Sequence, residues 1–301
     1  VNALLFGLHP LGYYVVNLGL HALLTALVYA AAVEISRSRA AACVGALLVG
    51  LAPATHQAVY YLAGRDDQLA NVAYVGAFLL WQRSRTRPSL RWATAGLLLL
   101  GLLSKVTVAT LPLLLLVDDL SRGGRRRRAV DYLPLGASLL VFSGLMVSSW
   151  GHANPSALLT PEQQRELLHV GTFVGNVAQA ALVPLMAKSG GLSVLPLELL
   201  RLLSYGVLLA SLVATRGPHR RLAILGGTWL LLNLLVPYPW VVVDGFRVQD
   251  SGRYLQLPLI GWGLLVASAC AGEGRRWAER WAAPVSTGGI VLSFALGVTP
   301  G

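Results

Sequence analysis

The sequence predicts an all-α, polytopic membrane helix bundle of about ten spans, and three observations carry that prediction. Apolar residues make up 55% of the 301-residue chain and charged residues only 12%, with a mean hydropathy of +0.63. A water-soluble domain of that size normally carries about twice as much charge. Apolar runs of helix length recur along the whole chain, separated by short polar stretches. The charges between those runs also segregate by side, as the inventory of loops shows.

The first span covers residues 13–35 and carries Asn17 and His21 four positions apart, on one helix face. A hydrogen-bonded pair inside the bundle is the ordinary reading of that spacing, ahead of a ligand role. Residues 36–39 form a short basic loop. The second span starts near Ala41 and is interrupted at Pro53, where PATHQAVYYLAGRDD places a histidine, two tyrosines, an arginine and two aspartates between apolar runs. Charges in that setting must face water, protein or a ligand, which makes the stretch a candidate site as well as a candidate solvated turn.

The third span returns over residues 67–81 and ends in QRSRTRPSLR. Residues 93–103 and 106–117 are each shorter than the ~20 apolar residues of a standard span. They read as a helical hairpin with Lys105 at its tip, reaching the interface through a tilted or thinned region. After Asp118 and Asp119 comes SRGGRRRR, which beside transmembrane helices reads as a cytoplasmic topology anchor and not as a nucleic-acid patch.

A sixth span over 132–148 leads to a polar segment and an apolar stretch at 167–185, expected to lie at or re-enter the outer face. If it crossed, the later basic loops would fall opposite the earlier ones. Spans at 192–214, 222–236, 255–271 and 283–298 complete a single transmembrane domain. It divides into 13–148, an outer segment 149–191, and 192–299. The sequence opens at Val1 in mid-phrase, so an upstream part is expected.

With this topology the outer face carries seven basic and seven acidic residues, and the whole net charge of +11 falls on the inner face. That is the positive-inside pattern, so nucleic acid is not needed as a partner. Cys43 and Cys270 lie in apolar runs without a CxxC pair or histidine cluster, and read as small packing residues. No cofactor or metal is assigned. A transporter would show repeats and mid-membrane charges, neither of which is visible.

On the outer face the GRDD corner, Lys105, the loop from Trp150 to Glu166 and PYPWVVVDGFRVQDSGRY can converge. Lys105 and Arg253 suit either snorkelling or an anionic lipid headgroup. His152 and His169 read as structural ahead of an acid–base role, and Trp150, Tyr238 and Trp240 as interfacial aromatics or a platform for a sugar ring. Glu198 and Arg201 are spaced as a local ion pair.

In this order, GLHPLGYYVVNLGLHALLTALVY, PATHQAVYYLAGRDDQLA, LLSKVTVATLPLLLLVDDL and SGRYLQLPLIGW resemble the successive motifs of GT-C glycosyltransferases. The likeness is greatest to the protein O-mannosyltransferase-like branch that includes transmembrane proteins with tetratricopeptide repeats. It covers the chain to about Gly263. It implies a GT-C-like fold, a polyprenyl-phosphate sugar as donor, and a carboxylate acting as general base on an acceptor hydroxyl while cations hold the leaving phosphate.

The family's acidic loop would precede Val1, which leaves Asp66, Asp67 and His56 as candidates for the base. Arg65, Lys105, Arg253 and Tyr254 match basic and Arg-Tyr positions expected to hold lipid phosphate. Gln57, Trp150 and Asp250 are expected to contact acceptor or sugar. The chain departs from the branch at Tyr14, Gln57, Val106 and Gly252, where three of the losses are of glutamate. A non-catalytic subunit, scaffold or lipid-binding, that keeps the fold is therefore the alternative. Membrane lipid, lipid-linked sugar and membrane protein partners are expected, in a bacterial inner membrane with basic loops cytoplasmic.

Overall fold

The computed structural model describes residues 9–52, 55, 59–61, 64–122, 127–150, 219–235 and 255–271. Among them all regular structure is helical: α1 (Pro10–Ser36), α2 (Arg39–Leu51), α3 (Arg65–Arg83), α4 (Leu90–Ser104), α5 (Leu111–Ser121), α6 (Leu133–Trp150), α7 (Arg220–Leu235) and α8 (Gln256–Ala271), with 3-10 turns at Val106–Thr110 and Ala129–Tyr132. The expected segments at 167–185, 192–214 and 283–298 lie outside the described residues.

In α1, Asn17, His21, Leu24, Val28, Ala31 and Ile35 are buried at alternating steps of three and four. The opposite face is just as apolar, with Leu11, Val15 and Leu18 each more than half exposed. A helix in water would put polar residues there. Arg37 closes α1 in the left-handed region (φ 58°) and donates its N–H to Val33 O at 2.9 Å. Ser38 then caps α2 by accepting from the Ala41 N–H.

The helices close a ring in the order α3, α1, α2, α8, α7 and α5, with α4 packed outside α3 and α6 outside α4. Glycines set the closest approaches: a Cβ on Gly45 of α2 would lie 2.4 Å from the Gly263 carbonyl oxygen of α8. Likewise, one on Gly261 would lie 2.5 Å from the Gly226 oxygen of α7. Small residues let backbones meet where no hydrophobic force between helices is available. Within the ring, the Trp229 indole packs against Tyr74 and Phe78, with ring centroids 5.0 and 5.4 Å away. Tyr74, Thr110 and Asn233 bond to one another beside it.

Among the described residues, two helices are long and apolar enough to cross a membrane: Pro10–Ser36 and the 20-residue segment Ala129–Ser148. Arg39–Leu51, Leu90–Ser104 and Gln256–Ala271 are apolar but shorter. Cys43 faces outward from the bundle and is not in its core, while Cys270 is half-buried.

Helix α3 lies at the centre of the fold and carries polar groups at both ends. Its last turn meets a charged cluster at the basic end of the bundle, where Asp118 and Asp119 of α5 are 0% and 4% exposed. Asp118 accepts from Gln82 Nε2 (2.8 Å), Arg122 Nε (3.1 Å) and Arg221 Nη2 (2.6 Å). Asp119 accepts from Trp81 Nε1 (3.1 Å), Tyr132 Oη (2.5 Å) and Arg85, and lies 3.2 Å from Arg127 Nε. The Arg127 guanidinium stacks 4.0 Å from the centre of the Trp81 ring and donates to Trp81 O and Ser84 Oγ. Burial pulls this arginine below its ordinary range and Asp119 opposes the shift, so it stays a cation.

Candidate functional site

The site is built at the opposite end, on the first turns of α3. Gly64 precedes the helix, and Arg65, Asp66 and Asp67 form its first turn, where carboxylates suit the helix dipole. Consecutive helical residues point about 100° apart, and the two aspartates have different fates. Asp66 is exposed, whereas Asp67 is buried and ion-paired to Lys105. Lys105 follows α4 in extended conformation, its N–H bonded to Gly101 O. The hairpin tip expected from sequence is therefore tied by charge to the GRDD corner.

Arg65 donates from Nε to Asn17 Oδ1 (3.2 Å) and lies over the Tyr13 ring at 5.4 Å. Asn17 in turn donates to the backbone carbonyls of Val59 and Tyr61, at 3.1 and 3.4 Å. The α1 helix thus positions both the arginine and the chain leading to it. Tyr14 and Tyr60 meet beside it with centroids 6.0 Å apart.

Below this rim lies a buried polar array of which sequence reasoning singled out only His21. His21 Nε2 is 2.9 Å from Gly50 O and its Nδ1 is 3.0 Å from Gln256 Nε2. Gln256 also donates to Gln68 Oε1 (3.2 Å) and accepts from Asn71 Nδ2 (2.7 Å). Asn17 and His21 each bond to other elements. The available signal was the run Asp67, Gln68, Asn71, which continues one polar face of an otherwise apolar helix.

The structure brings Arg65, Asp66, Asp67 and Lys105 to one end. Of the remaining sequence-derived candidates, His56, Gln57, Asp250, Arg253 and Tyr254 lie outside the described residues, as do His152, His169, Tyr238 and Trp240. Trp150 is placed only as the last residue of α6. An exposed carboxylate at the same end of the bundle as two cations can accept a proton next to a bound anion. This is the chemistry of group transfer from a phosphate leaving group.

Comparison with known proteins gives a relationship of the same kind. The chain is 37% identical over 130 residues to the protein O-mannosyl-transferase Tmtc1 of Drosophila melanogaster, a match covering 42% of this chain and 15% of that protein. It is 38% identical over 85 residues to the protein O-mannosyl-transferase TMTC1 of Mus musculus, covering 28% of this chain and 9% of that protein. The matched segments are thus a small part of those longer relatives. No family model matches, and no solved structure matches significantly. The similarity supports an O-mannosyltransferase-like relationship.

Proposed function

We propose that this chain is the membrane-embedded part of a glycosyltransferase that moves a sugar from a polyprenyl-phosphate carrier to an acceptor hydroxyl on the outer face. The observation that carries the reading is the convergence of Arg65, Asp66, Asp67 and Lys105, drawn from two hairpins, at one end of an apolar bundle. The partial similarity to O-mannosyl-transferases supports the class of reaction. The polyprenyl-phosphate donor, the outer face, a ten-span GT-C-like bundle and a bacterial inner membrane with cytoplasmic basic loops belong to the proposal.

In this mechanism the acceptor oxygen forms a bond to the anomeric carbon of the sugar, and the bond to the carrier phosphate breaks. The phosphate leaves with the electron pair. Asp66 takes the acceptor proton, and Arg65 and Lys105 bind the departing phosphate, which Arg253 and Tyr254 also contact. Asp67 holds Lys105 in place, so it acts as a positioning residue.

The test is transfer from polyprenyl-phosphate mannose to a hydroxylated peptide by the full protein in vesicles. Asp66→Asn is expected to lower the rate by ~10²–10⁴-fold, the usual worth of a general base. Arg65→Ala is expected to weaken donor binding by about 10–100-fold, as loss of a charged hydrogen bond does. Both should leave the folded state intact. Unchanged transfer in both variants would remove this site from the chemistry.

A second reading is a non-catalytic membrane subunit that retains the fold and binds lipid or partner proteins. It is favoured by the ion pair that engages Asp67, the buried one of the two carboxylates. Under that reading the protein binds polyprenyl phosphate without transfer, and Arg65→Ala alters only that binding or assembly.

A further inference from the structure

Among the described residues, the basic end of the bundle holds more cations than its carboxylates neutralise. Arg85, Arg122, Arg127 and Arg221 face Asp118 and Asp119, and the neighbouring Arg91 is already matched by Asp131 at 2.7 Å. The cluster is therefore left with two positive charges in a half-closed space. Side-chain exposure is 27% for Arg85, 24% for Arg122 and 20% for Arg221. Like charges so enclosed repel strongly unless an anion joins them.

The hydrogen-bond pattern shows which edges remain. Asp118 and Gln82 sit as a wedge between Arg122 and Arg221, and Gln82 Oε1 accepts from both guanidiniums. Arg122 uses Nε and Nη2, and Arg221 uses Nε and Nη2, in these contacts. Among the described residues, each Nη1 edge is left over. Arg85 gives Nη2 to Asp119, while its Nε is buried without a hydrogen-bond partner. Arg127 is 4% exposed and its Nε also lacks a hydrogen bond. Arg122 is pulled below its ordinary range, first by burial, against the opposing pull of Asp118, and further by Arg221 and Arg85, so these three guanidiniums sense one another.

We propose that Arg85, Arg122 and Arg221 form a binding site for a phosphate-bearing anion, occupied in the membrane by the headgroup of an anionic phospholipid. Guanidinium forks fit phosphate oxygens two at a time, and a phosphodiester would supply the acceptors and negative charge that the cluster lacks. The exposed apolar residues around the bundle bring acyl chains to the same level: Leu120 of α5 is 53% exposed and Leu133 of α6 is 66% exposed. Basic pockets between helices on the cytoplasmic side are a recurrent setting for such headgroups. The lipid as occupant rests on the membrane reading above, but the site lies at the end opposite to Asp66 and is independent of sugar transfer.

The experiment is native mass spectrometry and thermal unfolding of the full protein in nanodiscs of phosphatidylcholine alone or with phosphatidylglycerol, and in detergent with inorganic phosphate. Retained phosphatidylglycerol and a higher unfolding temperature are expected, with retention about tenfold weaker in Arg122→Gln and Arg85→Gln. Arg122→Lys, which keeps the charge, should restore part of the effect if the glutamine variants fold poorly. Arg39→Gln, an exposed arginine at the same end but outside the cluster, should change nothing.

Stabilisation by inorganic phosphate that the same variants abolish, without phosphatidylglycerol retention, would keep the site and assign it to a soluble phosphate. Equal behaviour in both lipids with no phosphate effect, or an equal loss in Arg39→Gln, would overturn the proposal. None of these outcomes depends on mannose transfer, so failure here and failure of the transferase reading are distinguishable.

Discussion

Asp66 and Asp67 are neighbours in sequence in opposite surroundings, one exposed and one buried against Lys105, and the difference comes from one step around a helix. Asp67→Ala removes the carboxylate that Lys105 pairs with and should cost about 3 kcal/mol, the low end for a buried pair, because Lys105 is 18% exposed and can turn toward water. Asp66→Ala should change stability by less than ~0.5 kcal/mol, as an exposed substitution does, while abolishing transfer. Thermal unfolding of both variants beside the transfer assay separates the two roles. The sequence displayed both acids at the GRDD corner, but telling which of them is buried required knowing which one faces α4. Gln256 was invisible for a related reason: its partners His21, Gln68 and Asn71 lie 235, 188 and 185 residues away. Its role also fixes theirs. A carbonyl can only accept, so Gly50 demands the proton on His21 Nε2, and the bare Nδ1 then orients the Gln256 amide.

At the scale of elements, the apolar runs told most of what the structure shows, since α1, α3, α7 and α8 begin and end within a few residues of the expected spans. The short pair around Lys105 was also legible, although both arms run further than expected. Helix α4 starts at Leu90, and α5 continues to Ser121 because the basic end satisfies Asp118 and Asp119 inside the helix. What the pattern could not reveal was which helices touch. That information lies in glycines that look alike in sequence. Gly45→Ala would drive a Cβ into the Gly263 carbonyl and should destabilise by about 1–3 kcal/mol, the cost of overpacking. Gly19→Ala meets nothing within 4 Å and should stabilise by about 0.5–1 kcal/mol through helix propensity. Denaturation of the two variants in detergent checks both signs.

For the whole molecule, the described residues place large apolar side chains on the outside as well as in the core. Leu140 of α6 and Leu100 of α4 are 75% and 60% exposed, while Asp118 is 0% exposed. The outward surface asks for lipid, and the two polar ends lie about 22 Å apart along α3, counted from Asp67 to Gln82. In a Cys43→Ala, Cys270→Ala background, Asp66→Cys should react with an impermeant maleimide added outside intact cells. Arg87→Cys should react only after the membrane is opened. Labelling of both from one side would refute the proposed orientation.

The Asp118 contacts also carry a history. Gln82 precedes this aspartate and Arg122 follows it by one helical turn, whereas Arg221 is 103 residues further along. A chain emerging from the ribosome can therefore neutralise the carboxylate locally, before its remote partner has been synthesised. The later arrival of α7 then replaces water with a second guanidinium, and the first half of the protein is latched to the second only once translation has delivered both.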